Sequence, residues 1–161
     1  MSKSLGNVIL AKHFYQKYGS NTLRYIFLNS HYNQVINFNE MIIQQAVDYT
    51  QKIKNLLKRL KLYFYWQKIS INREEIDKNN EFYKIIVQAL VDDLNTIKVF
   101  YYLDKIVYRL NKELDRQEKV KQKEGNLIQE LNSILCFTLD ILGFKFELVN
   151  YDSQIYYLLD K

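Results

Sequence analysis

The sequence predicts an all-α (mostly) fold: an antiparallel helix bundle preceded by a small helical junction. Three observations carry this. The 161 residues include no proline and only four glycines, which removes the strongest helix breakers and most of the turn chemistry of a β architecture. Apolar residues recur at helical spacing over several long stretches. Between those stretches stand Asn, Asp, Ser and Thr, short side chains that compete for backbone donors and favour caps. With 48% hydrophobic residues, the chain is long enough and apolar enough to bury one core.

The elements follow in order. Leu10, Phe14 and Tyr18 share a helical face that ends at Gly19. Ser20 and Asn21 offer the next N-cap, before an apolar face of Leu23, Ile26 and Phe27. Residues 30–38 read as a connecting loop anchored by Val35, Ile36 and Phe38. Asn39 then caps a long amphipathic helix over roughly 39–67. Its apolar positions run from Ile42 and Ile43 through Ile53, Leu56, Leu60 and Phe64 to Trp66. Lys52, Lys54, Lys58, Arg59 and Lys61 occupy much of its remaining surface.

Residues 68–79 are charged and Asn-rich and read as a loop. A fourth helix starts near Asn80 with Phe82, Ile85, Ile86, Ala89 and Leu90, and meets Asp92-Asp93-Leu94-Asn95-Thr96. That segment predicts a break at 93–95 and a new helix from Asn95 or Thr96. The new helix carries Ile97, Phe100, Tyr101, Leu103, Ile106, Val107, Leu110 and Leu114. Residues 115–125 are highly charged and read as a mobile hairpin. A last long helix from Leu127 ends at Gly143, residues 144–150 read as extended, and Asp152 can cap a short final helix. The expected division is a junction at 1–38, a bundle at 39–143, and the start of a C-terminal segment at 144–161.

The net charge of +5 suits a nucleic-acid partner, because lysines and arginines draw in phosphates and release counterions. Richness in Lys, Asn, Ile and Tyr also fits an AT-biased genome. No apolar run reaches the roughly 18 residues of a membrane span, and no signal-peptide pattern is present. Cys136 is the single cysteine and lies in an apolar run, as a small core residue would. A cytoplasmic location fits.

The N-terminal stretch Met1-Ser2-Lys3-Ser4-Leu5-Gly6-Asn7 has the composition of a phosphate-handling loop. Lys3 brings a compact charge, Ser2 and Ser4 bring hydroxyls, and Gly6 brings backbone freedom. A frayed polar end has the same composition. The stretch resembles the Lys-Met-Ser-Lys-Ser nucleotide-binding signature of class I aminoacyl-tRNA synthetases, without its first lysine. The chain after it resembles the cysteinyl-tRNA synthetases at Lys17-Tyr18-Gly19, Leu23-Arg24-Tyr25-Ile26, Ser30-His31-Tyr32, Ile36-Asn37-Phe38 and Asp92-Asp93-Leu94-Asn95-Thr96. The resemblance covers most of residues 1–115.

That resemblance implies an enzyme that uses ATP to attach cysteine to its tRNA, with Lys3 stabilising the ATP phosphates and Ser2 and Ser4 shaping the loop. It implies a tRNA-binding bundle, with Arg24, His31, Lys54, Lys58 and Arg59 as candidate contacts. The family's zinc ligands lie upstream, so no metal is expected in this chain. The chain is expected to begin inside the signature, to lack the catalytic nucleotide-binding fold and to be inactive alone, as a monomer. Departures stand at Asn33, usually arginine, and at Val35 and Ile97, usually proline.

Other readings stay open beside these. His31 also suits a structural hydrogen bond, and His13 a solvated position. Adjacent Asp92 and Asp93 point about 100° apart on a helix and suit capping better than acid–base work. Tyr63, Phe64, Tyr65, Trp66, Phe100, Tyr101 and Tyr102 can fill a core or stack on unpaired bases. The shared signature leaves another class I synthetase, such as the methionine enzyme, as an alternative. A protein-interaction bundle with no RNA role is the other.

Overall fold

The computed structural model describes residues 11–36, 38–69, 76–120 and 125–146. Among these residues six helices follow in order: α1 (Ala11–Tyr18), α2 (Ser20–Leu28), α3 (Glu40–Gln67), α4 (Glu81–Val91), α5 (Thr96–Val120) and α6 (Gly125–Ile141). Among the described residues there is no strand.

Local capping sets several of the boundaries. Asn39 Oδ1 accepts from the Ile42 amide at 2.9 Å and starts α3. Asn80 Oδ1 accepts from the Phe82 amide at 2.8 Å and starts α4, while its Nδ2 donates to Glu130 of α6 at 2.6 Å. Asn95 Oδ1 accepts from the Lys98 amide at 3.0 Å at the head of α5. Each side chain satisfies an amide that lacks an intrahelical acceptor. Helices α3 and α6 end alike. Lys68 (φ 54°) and Gly143 (φ 74°) adopt left-handed backbone. The Ile69 amide then reaches the Phe64 carbonyl at 3.0 Å and the Phe144 amide reaches that of Leu139 at 2.8 Å.

The core has two parts. Phe14, Ile26, Ile43 and Ala46 join α1 and α2 to the start of α3. A larger cluster includes Leu56, Leu60, Ile86, Leu103, Ile106, Leu110, Ile128, Leu131 and Leu135 and unites α3, α4, α5 and α6. Helix α5 touches α3, α4 and α6 and is the central element. The two parts meet at a set of rings. Tyr25 stacks on Tyr49 at 4.2 Å, and both meet Phe100 edge-on, at 5.1 and 5.7 Å.

Several expectations need correction, among them Phe27 (55% exposed) and Val35 (95% exposed), which stand outside the core. Ser20 and Asn21 do not cap α2, which has Gly19 (φ 81°) at its head and no side-chain cap. Instead Asn21 bridges to the chain after α6, donating to the Lys145 carbonyl at 2.7 Å and accepting from its amide at 3.1 Å. The charged segment from 115 is no hairpin up to Val120 but the continuation of α5. Its Arg, Gln, Glu and Lys are good helix formers, and Arg59 anchors Asp115 at 2.6 Å. Trp66 is 61% exposed, because it lies about 200° around the helix from buried Phe64. Ile97 and Tyr101 face outward on α5 and leave the core to Val99, Phe100 and Leu103. The expected extended segment is described only as far as Phe146, without strand, and the helix after Asp152 lies outside the described residues.

Candidate nucleic-acid interface

The signature residues Ser2, Lys3 and Ser4 lie outside the described residues. What the structure places is the chain that follows them in sequence: the α1–α2 junction, the loop after α2, and the long flanks of α3 and α5.

Arg24 leaves the second turn of α2 and donates to the Leu142 carbonyl at 3.3 Å, at the end of α6. A helix C-terminus carries carbonyls without intrahelical donors and a partial negative charge, so a guanidinium is a natural partner. The fit is close: a Cβ on Gly143 would stand 2.7 Å from Arg24 Nη1. Thr96 Oγ1 donates to the Leu28 carbonyl at 2.5 Å. With Asn21 and Arg24, it gives α2 three polar ties to the bundle. Arg24 is thereby a brace between junction and bundle.

His31 is tied in as well. Its Nε2 lies 3.5 Å from Asp93 Oδ2, its ring stacks on Tyr32 at 4.6 Å, and its Nδ1 accepts from the Asn33 amide at 3.4 Å. Tyr32 donates to Asp93 Oδ1 at 2.6 Å. That bond, with the carboxylate's charge, raises the phenol above its ordinary range. Asp92 ends α4, its amide on the Gln88 carbonyl, and Asp93 (φ 54°) turns its carboxylate to the loop after α2. The two aspartates thus part company, one at a helix end and one gripping the His31–Tyr32 corner.

On α3 the cations divide by side. Lys52 pairs with Asp104 at 2.8 Å. Arg59 donates to Asn111 at 2.8 Å and to Asp115 at 2.6 Å. Both lie on the α5 side. Lys54 and Lys58, one turn apart on the other flank, make no ion pair among the described residues. The candidate contacts therefore separate into Arg24, His31 and Arg59, which hold the fold, and Lys54 and Lys58, which are half-buried and unpaired with any acid among the described residues.

The aromatic residues divide too. Phe64 and Phe100 are buried, whereas Tyr65 is 42% and Tyr101 57% exposed. Sequence reading passed over Lys105 and Tyr108. Lys105 Nζ lies 4.4 Å from the centre of the Tyr101 ring and 5.0 Å from that of Tyr102, and Tyr108 stands one turn further on, 69% exposed. The available signal was spacing: positions 101, 105, 108 and 112 share one face, opposite Leu103 and Leu110. No helix among the described residues is long and apolar enough to cross a membrane.

Comparison with known proteins gives this arrangement a family context. A family model described as the tRNA synthetases class I (C) catalytic domain matches residues 1–48, ending inside α3. The cysteine--tRNA ligase of Mycoplasma mycoides subsp. mycoides SC is 38% identical over 148 residues, 89% of this chain and 31% of the relative. That of Mesoplasma florum is 32% identical over 96% of this chain and 33% of its own length. That of Helicobacter pylori is 32% identical over 99% of this chain and 30% of its own length. The chain is thus homologous along nearly its whole length to cysteine--tRNA ligases, and it spans about a third of each of these relatives.

Proposed function

We propose that this chain is the tRNA-contacting helical part of a cysteine--tRNA ligase, whose whole enzyme joins cysteine to its tRNA with ATP. The observation that carries the reading is the 38% identity over 148 residues to such a ligase. The fold supports it: a junction helix pair held on a bundle by Asn21, Arg24 and Thr96 can transmit the position of bound RNA to the N-terminal loop.

In this reading Lys3 neutralises negative charge building on the ATP phosphates, with Ser2 and Ser4 shaping the loop around it. Lys54 and Lys58 engage backbone phosphates from the flank of α3 that carries no ion pair to α5, a contact that positions RNA without reading bases. Arg24, His31 and Arg59 act indirectly, by holding the surfaces that RNA meets. The chain works as a monomer in the cytoplasm, and alone it binds RNA without aminoacylating it.

The test is a titration of the 161-residue chain against cysteine tRNA and one non-cognate tRNA at about 50 and about 200 mM salt. Salt-sensitive binding that is tighter for the cognate tRNA is expected. Lys54→Gln/Lys58→Gln should flatten the salt dependence by about two phosphate contacts. Absence of tRNA binding at the lower salt would remove the RNA role.

A further inference from the structure

Helix α5 carries a face that none of its packing uses. Tyr101, Lys105, Tyr108 and Lys112 recur at helical spacing opposite the buried Leu103, Ile106, Leu110 and Leu114. The two rings are 57% and 69% exposed although tyrosine has much apolar surface to bury. They lie about 10 Å apart along the helix. Lys105 stands between them and Lys112 one turn beyond.

The charge on this face is set by pairing elsewhere. Between Thr96 and Gln117, α5 has three acids. Asp104 pairs with Lys52 and Asp115 with Arg59, both on the α3 side, and Glu113 pairs with Arg116. Lys105, Arg109 and Lys112 meet none of them. Lys105 rests on Tyr101 and Tyr102, and Arg109 lies 5.7 Å over the Phe82 ring. The result is a cationic strip with flat rings at regular intervals, whose neighbouring acids are taken up by Lys52, Arg59 and Arg116.

We propose that this outward face of α5 is a platform for unpaired RNA, with Tyr101 and Tyr108 stacking on bases and Lys105 and Lys112 holding phosphates. Rings alternating with ammonium groups match the alternation of bases and phosphates in a single strand. An acidic peptide would satisfy the lysines but gives the rings nothing flat to stack on. The platform deepens the RNA-contact reading above, resting on it for the class of ligand, and lies on a different helix from Lys54 and Lys58.

The experiment is fluorescence anisotropy of the 161-residue chain with a labelled uridine oligonucleotide of roughly ten nucleotides, and separately with cysteine tRNA. Wild type binds the oligonucleotide at about 50 mM salt. Tyr101→Ala/Tyr108→Ala weakens that binding at least tenfold, on the order expected for losing two stacked bases. Tyr101→Phe/Tyr108→Phe restores it, since stacking needs the ring and not the hydroxyl. Lys105→Gln/Lys112→Gln lowers the slope of log affinity against log salt by about 1.4. Circular dichroism confirms that the variants keep the wild-type helix content. An oligonucleotide that does not bind, or that binds the alanine variant as tightly, overturns the proposal. So does displacement by polyglutamate as effective as by unlabelled RNA. Failure of the tRNA reading is a separate result: wild type that ignores tRNA but binds the oligonucleotide through the two rings removes that reading and upholds this one.

Discussion

Tyr49 stands where the two cores meet, and its hydroxyl is the polar atom to perturb. The residue is 8% exposed, its ring stacks on Tyr25 at 4.2 Å, and Phe100 packs edge-on against it. Its Oη is buried with no hydrogen-bond partner among the described residues. A buried hydroxyl without a partner costs about 1–3 kcal/mol relative to hydration in the unfolded chain. Tyr49→Phe removes that cost and keeps both ring contacts. The variant should be more stable by about 1–2 kcal/mol, a rise in Tm of roughly 2–8 °C at this chain length. Urea titration followed by circular dichroism gives the free energy, and an unchanged slope against urea would show that the unfolded reference is the same. A loss of about 0.5 kcal/mol or more would mean that the hydroxyl has a partner, and the account of this joint would be wrong.

Three further outcomes are expected. The same tyrosine links stability to pH. Burial, then the nearby Asp104 carboxylate, raises its pKa far above the usual tyrosine value, so the native state keeps the proton when the unfolded chain releases it at about pH 10. Ionisation therefore takes nothing from stability below that pH and lowers it as pH rises further, by about 1.4 kcal/mol near pH 11. Tyr49→Phe should show a shallower fall in paired urea titrations, and an identical fall would refute the assignment. Gly143→Ala should cost about 1 kcal/mol or more, because alanine resists φ 74° and its Cβ meets Arg24. Thermal melts check this, and an unchanged Tm would count against the α6 end geometry. Leu110→Ala should cost about 2–5 kcal/mol, since Leu110 is fully buried on the central helix, and a loss below about 1 kcal/mol in urea would show that the site collapses around the cavity.

What the sequence alone determined is the set of features that depend on near neighbours. Helical periodicity and caps act within a turn or two, so Asn39, Asn80, Asn95 and Gly143 marked their boundaries correctly. The Asp-Asp-Leu-Asn-Thr break was legible for the same reason. The end of the charged run after Leu114 was not, because lysine, glutamate and arginine suit a helix and a solvated loop alike, and Arg59 of α3 helps hold the helix there. The site was legible in residue type and not in role. A guanidinium has the same fork for a phosphate as for a carbonyl, and only tertiary structure brings Arg24 to Leu142, 118 positions away. In the same way folding sets Tyr32 and His31 against Asp93, turns Lys52 and Arg59 toward the acids of α5, and leaves Tyr101, Lys105, Tyr108 and Lys112 facing solvent. Side-chain chemistry is local, but which partner it meets depends on how helices far apart in the chain pack together.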